Sequence, residues 1–446
     1  MLCATALVPA AAQAKEAVED RLDRLEAMIM AMQARLDGSP GVSQTTAADA
    51  ALAREMREAV AATRAVAAEQ GKIEQRVAKM EASDRKGFRV GDTNVTFGGY
   101  VKLDAISSRT SGGQLAGNSI TRDFLIPSTI PVGGSASGWD TDFSARQTRV
   151  IVKTETPVGD KTLGGHLEMD FMVTDGGDER VSSSYSPRMR QAFITYDGWT
   201  FGQAWSTFQN VGALPDSLDF VGTMPGTVFV RQPMVRKKFA NGFSIALEQP
   251  ETTVTTLTGG RHLPGDDALP DIVVRYDAKV FTVAGIVRQL KVSNDDFAQG
   301  SDSAIGYGVS VSGKIPVGDK DDFRFMGTVG QGLGRYMGAN IVNDAAVTAT
   351  GKLDPITTYS GFGAFRHVWS DKVRSTIAGS YFKADNPVAL TGLSPTDTVW
   401  NALANVIYSP VPKLDLGIEY MYAERKNEAG ASGNLQKLQF SAKYSF

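Results

Sequence analysis

From Val18 the apolar residues Val18, Leu22, Leu25, Ile29, Met32 and Leu36 recur at alternating steps of four and three, which is a heptad seam. The same alternation returns at Leu52, Met56, Ala59, Thr63, Val66, Gln70, Ile73, Val77 and Met80, long enough to predict a multi-chain coiled coil over a lone amphipathic helix. Thr63 and Gln70 interrupt the seam, as polar residues that fix register or oligomer number do. Between the runs, residues 37–50 are rich in Gly, Pro, Ser and Thr and read as a flexible linker. After Gly87 the rhythm changes to two residues and holds to the C-terminus, marking a domain boundary. Val95, Phe97, Val101 and Leu103 alternate with polar Thr96, Lys102 and Asp104. At the end, Leu438, Phe440, Ala442, Tyr444 and Phe446 alternate with Lys437, Gln439, Ser441, Lys443 and Ser445. Each such stretch is a strand with one apolar and one wet face.

A soluble sandwich turns its apolar face to a core, whereas a membrane barrel turns it to lipid and gathers aromatics near strand ends. Here aromatics cluster at Trp199, Phe201, Trp205 and Phe208, and at Tyr359, Phe362, Phe365 and Trp369. Short turns, among them the paired PVGDK of 157–161 and 316–320, alternate with the long polar loops Ser107 to Asp142, Glu251 to Asp271 and Gly338 to Pro355. At ~22 residues per strand and connection, residues 88–446 make about 16 antiparallel strands, wide enough for an aqueous lumen. The predicted fold is therefore an all-β transmembrane barrel, residues 87–446, behind an α-helical coiled-coil segment, residues 15–86.

The opening 1–14 is small and apolar and closes on Ala12, Gln13 and Ala14, so it reads as an export signal, though without the usual basic start. The only cysteine, Cys3, lies inside it, so the processed chain would hold no thiol for disulfide, metal or nucleophile chemistry. The destination is the outer membrane of a Gram-negative cell, with the helical segment in the periplasm. A formal charge of −3 offers no bulk attraction for nucleic acid, and no apolar run reaches the length of a spanning helix.

Several segments carry a family resemblance: FGGYVKLDA (97–105), ARQTRV (145–150), MRQAFITYDGWTFGQAWSTF (189–208), ALPDSLDFVG (213–222) and VFVRQPMVRKKF (228–239). Together they resemble the DcaP-like outer-membrane porins. That resemblance implies a 16-stranded barrel, a homotrimer, and passage of small anionic solutes such as dicarboxylates and aromatic acids.

With the apolar parity facing lipid, Arg149, Lys153, Arg236, Lys238, Arg275, Arg288, Arg324, Arg366 and Arg374 face the lumen, where guanidinium groups grip carboxylates bidentately. Asp104, Glu155, Glu168, Asp170, Glu248, Asp277 and Glu419 face the same way and neutralise part of that charge. Arg190 shares parity with the apolar Ile194 and Tyr196, so only the resemblance places it inside. The irregular segment Gln209 to Thr227 predicts an inward constriction loop in which Asp216 and Asp219 oppose Arg231 and Arg236.

The competing classes are a hydrolase, a gated transporter and a structural tether. A hydrolase needs an organised histidine; His262 and His367 suggest nothing, and His166, near Glu168, is the candidate. No HExxH or GxxxxGK[ST] motif occurs, and no cofactor or metal is called for. A plugged transporter barrel needs more chain. The stalk could contact the cell wall, a role compatible with a pore.

Overall fold

The computed structural model describes residues 87–446 except 118, 173–181, 257–260, 263–266 and 294–300; of the chain before Gly87 it describes 27, 30, 31, 34, 54, 58, 61–66, 69 and 72. Those N-terminal residues are helical and exposed. The export signal, the linker and most of the heptad seam lie outside the described residues. Two units divide the chain, Met1–Lys86 and Gly87–Phe446.

In the second unit, sixteen strands form one antiparallel meander. They are β1 (Thr93–Thr110), β2 (Arg149–Val158), β3 (Lys161–Asp170), β4 (Arg188–Tyr196), β5 (Trp199–Trp205), β6 (Arg231–Lys238), β7 (Phe243–Glu248) and β8 (Asp271–Asp277). Then come β9 (Phe281–Val292), β10 (Asp302–Val317), β11 (Asp321–Gln331), β12 (Thr357–Val368), β13 (Val373–Asp385), β14 (Thr396–Val411), β15 (Leu414–Asn427) and β16 (Ser432–Ser445). Each pairs with the next, and β16 closes the ring on β1 from Tyr100↔Ser445 to Thr110↔Leu435, so no open edge remains. The short segments Phe88–Val90 and Asp140–Ser144 add to the two ends of β1.

The two-residue rhythm turns the apolar face outward. Phe440 is 49% exposed while its neighbours Gln439 and Ser441 are 0% and 7% exposed, the reverse of a soluble sheet. Connections alternate between short turns at one rim and long loops at the other, with the C-terminus at the short-turn rim. Gly159 makes its turn at φ +60 with open space around it, so glycine is needed there for handedness rather than room.

Wall height is uneven. Strands β5 to β8 hold 7, 8, 6 and 7 residues, whereas β10 and β14 hold 16 each. Seven residues at 3.3 Å, tilted by roughly 40°, rise only about 18 Å, short of the ~25 Å apolar band.

Candidate functional site

The connection from β5 to β6, residues 206–230, is rich in Gly and Pro and breaks into two single turns of 3-10 helix, Val211–Ala213 and Met224–Gly226. It runs along the inner wall, and wall side chains satisfy its backbone. Arg275 Nη1 donates to the Gln209 carbonyl at 2.7 Å, Arg324 Nη1 to that of Leu214 at 2.6 Å, and Asn405 Nδ2 to that of Asp216 at 2.8 Å. Lys102 Nζ donates to the Leu218 carbonyl at 2.6 Å, and Asn401 Nδ2 to that of Gly222 at 2.9 Å. At the tip, Glu419 accepts from the amides of Leu218 at 2.8 Å and Asp219 at 3.0 Å and from Ser217 Oγ. The tip's Asp219 is ion-paired with Lys437, and Leu218 sits over Gly417, where a Cβ would come within 2.8 Å of its side chain. A loop backbone held at five of its carbonyls by wall side chains is a built feature of the lumen.

A second loop joins it. Gly338 to Pro355, expected from the sequence as a long polar loop, does lie in a long connection, but Ile341, Val342 and the strand-like Ala345–Val347 within it, and Met337 before it, are buried. Phe229 N donates to the Tyr336 carbonyl at 2.9 Å and Gly338 N to that of Thr227 at 2.9 Å. Met224, Val228, Tyr336, Met337 and Ile341 then share one apolar cluster with Phe124, Leu125 and Ile130 of the first long loop. Buried Tyr336 donates to Asp271 Oδ2 at 2.6 Å; burial, with Asp271 beside it, pushes its phenol well above the ordinary value and keeps it a donor.

The arginines separate into two kinds. Arg288 is wholly buried, held by Asp271 at 3.3 Å, Asp344 at 2.9 Å and the carbonyls of Gly332 and Glu251. It is a brace for the second loop, with no surface left for a solute. Arg275 is clamped by Asp277 at 2.7 Å and Arg324 by Asp322 at 2.6 Å, besides their loop carbonyls. Asp216 and Asp219 do not meet Arg231 and Arg236 as the sequence suggested. Asp216 is paired with Arg374 at 2.7 Å and Asp219 with Lys437, because the loop crosses to the far wall.

The other kind surrounds aromatic rings. Arg149 lies 5.2 Å from the Tyr100 ring and 5.9 Å from Phe220, and pairs with Glu168 at 3.2 Å. Arg190 is paired with Glu168 at 2.6 Å and Asp170 at 2.7 Å, 5.0 Å from Phe220 and 5.7 Å from Trp205. Arg188 completes the pairing of Asp170 at 2.9 Å. Arg231 lies 4.8 Å over Trp205 and has no ion pair among the described residues. Its strand parity is that of outward Pro233 and Val235, but it is the first residue of β6 and lies over the same Trp205 ring that Arg190 approaches at 5.7 Å. Arg190 faces inward against its parity because the pairing of β3 with β4 shifts register between Glu168 and Met169, a bulge that swaps the faces of β4. On the unshifted part of β4, Phe193 faces inward opposite the outward Ile194 and Tyr196 and stacks on His166 at 4.7 Å.

Among the described residues nothing organises a nucleophile around His166 or His367. His166 Nε2 is 3.6 Å from Glu168 Oε2 and its ring is covered by Phe193. His367 Nδ1 meets Asp321 at 2.6 Å beside Phe365 and Trp369, and the neighbouring Ser375 hydroxyl accepts from Trp369 Nε1 at 2.9 Å. His262 carries no described side chain. Among the described residues no group of three His, Cys, Asp or Glu could hold a metal.

The model of the DcaP outer membrane protein family matches residues 66–446. The crystal structure of the outer membrane channel DcaP of Acinetobacter baumannii superposes with a TM-score of 0.67 at 24% identity, over 81% of this chain and 100% of that one. The anion-selective porin from Comamonas acidovorans follows at 0.48 and 11% identity (79% of this chain, 100% of that one). The trimer form of OmpT, an outer membrane protein of Vibrio cholerae, follows at 0.47 and 12% (79% and 99%). No curated protein matches the sequence. A closed barrel with an apolar exterior, an inward loop and a match over most of its length make this chain a member of the DcaP outer membrane protein family, a porin of the Gram-negative outer membrane.

Proposed function

We propose that this porin passes small anionic solutes, dicarboxylates and aromatic acids among them, through an aperture bounded by Arg149 and Arg231 and the rings of Tyr100, Trp205 and Phe220, with buried Arg190 adding its charge from behind them. The carrying observation is which charges stay unpaired. The loop's acids Asp216 and Asp219 are spent on Arg374 and Lys437. The four arginines Arg149, Arg188, Arg190 and Arg231 share only the two carboxylates Glu168 and Asp170, leaving a net charge of +2. Such a surplus concentrates anions and repels cations in a narrow, poorly screened passage. Rings beside guanidinium groups suit flat aromatic carboxylates. Replacing chloride by succinate or benzoate in planar-bilayer recordings of the purified protein should leave measurable anion current. Current carried only by the cation would overturn the reading.

The assembly in this reading is a homotrimer joined through the low wall. Strands β5 to β8 are too short to cross the apolar band alone, yet Phe201, Val235, Ile245, Leu247, Ile272 and Val274 on their outer face are each at least 40% exposed. A second copy covers that face where lipid fits poorly. Residues 1–14 are the export signal and residues 15–86 a periplasmic coiled-coil stalk that can reach the cell wall; removing the stalk leaves conduction intact.

A further inference from the structure

Below the inward loop, toward the short-turn rim, the lumen wall holds a cavity of about 440 Å³ lined by Thr200, Thr207, Arg236, Lys238, Ser244 and Arg275, with Asp277 and the 197–199 turn at its border. Arg236 and Lys238 are two apart on β6 and project from the same face. Neither side chain makes an ion pair or hydrogen bond among the described residues, although Arg236 is half-buried.

Every acid near them is occupied. Asp277 takes Arg275 at 2.7 Å and Thr282 Oγ1 at 2.7 Å, and Glu248 accepts from Thr207 N at 2.7 Å and Gln232 Nε2 at 2.6 Å. Asp197 pairs with Lys161 at 2.8 Å. Arg236, Lys238 and Arg275 against Asp277 and Glu248 leave a charge of +1 on this wall. A half-buried guanidinium with no partner is a costly arrangement unless something supplies the missing acceptors.

We propose that Arg236 and Lys238, with the hydroxyls of Thr200, Thr207 and Ser244, form a second anion site in the short-turn half of the lumen. Its ligand is a small, doubly charged oxyanion, a dicarboxylate or a phosphate. Two adjacent cations match a double charge, the guanidinium supplies a planar fork, and the hydroxyls take the remaining lone pairs. Along β5 and β6 the site is five residues from the Trp205–Arg231 pair, about 17 Å, so a solute leaving the aperture meets a second resting place rather than open solvent. The inference deepens the anion-channel reading and rests on it for the class of solute.

The test reads each arginine separately. Purified protein is treated with phenylglyoxal, which modifies accessible guanidinium groups, and Arg236 is quantified by mass spectrometry with and without succinate, inorganic phosphate, or chloride at matched ionic strength. Arg236 is modified in chloride and protected by millimolar succinate, phosphate or both, and whichever protects names the source. In a Lys238→Gln variant the half-protecting concentration rises roughly tenfold. Arg231→Gln leaves protection of Arg236 in place, which separates this site from the aperture. Equal modification in all three solutions overturns the proposal, as does protection that chloride provides equally or that disappears with Arg231.

Discussion

Glu419, in the middle of β15, accepts a hydrogen bond from the backbone amide of Leu218 at 2.8 Å, tying the tip of the inward loop to the wall opposite its origin. The same carboxylate takes Asp219 N at 3.0 Å and Asn405 Nδ2 at 2.9 Å, so one side chain orders both partners. Replacing it by alanine strands two buried amides at a cost of about 3 kcal/mol. Glu419→Ala is expected to lower the temperature of heat modification and to add large open-state current fluctuations. Quiet traces from a normally stable variant would separate the loop's position from this contact.

The second contact at the tip sets a pH dependence. Burial raises the Asp219 carboxyl, but Lys437 and the amides of Gly222 and Val221 outweigh it and hold its pKa below the ordinary 3.8. A depressed carboxyl stabilises the fold above its unfolded value, and that contribution disappears as pH falls through the folded one. In a Glu419→Gln background, which removes the other carboxylate at the tip, current noise should therefore be constant between about pH 8 and pH 5 and grow only in acid below the ordinary carboxylate range. Loosening of the loop near neutrality would contradict this assignment.

Leu218 rests on a glycine of the wall, and the fit leaves no room for a side chain. Gly417→Val keeps strand propensity but pushes the tip away, so conductance should rise while the barrel still folds. Unchanged conductance means the tip does not limit the passage.

Arg190 serves two acids at once. Arg190→Ala leaves Glu168 and Asp170 with one arginine each and costs about 2 to 4 kcal/mol. The triple variant Arg190→Ala, Glu168→Gln, Asp170→Asn should recover part of that loss in a thermal unfolding measurement. A neutral Arg190→Ala would remove it from the load of the wall.

The low wall gives a paired test of assembly. Ile245, 44% exposed on β7, and Ile418, 41% exposed on the taller β15, are chemically alike. Ile245→Asn is expected to yield monomers in native mass spectrometry, and Ile418→Asn to stay assembled. The opposite pattern would move the interface to the tall wall.

The barrel was legible because a period of two runs through most of its strands and the membrane leaves only one face for Phe440 and Tyr420. Wall parity placed Arg149 and Arg236 inside for the same reason. It failed for Arg190, since a single register shift at Glu168 reverses the faces of β4 and no residue type announces it. Gly338 to Pro355 was legible as a long loop but not as a buried one, because its polar residues point at partners far along the chain: Asp344 accepts from Arg288 and from Thr253. The opposition of Asp216 and Asp219 to Arg231 and Arg236 assumed a loop that stays near its own strands. Arg374 and Lys437, the true partners, were visible as inward cations, but the distance between them in sequence is closed only by the ring.

The surplus of arginines over carboxylates around Trp205 is the heart of the account, and the reversal potential of single channels in a KCl gradient measures its effect most directly. Wild-type channels should favour chloride over potassium, and Arg149→Gln with Arg231→Gln should move the reversal potential toward zero. A cation-selective wild type, or a double variant indistinguishable from it, would contradict the account.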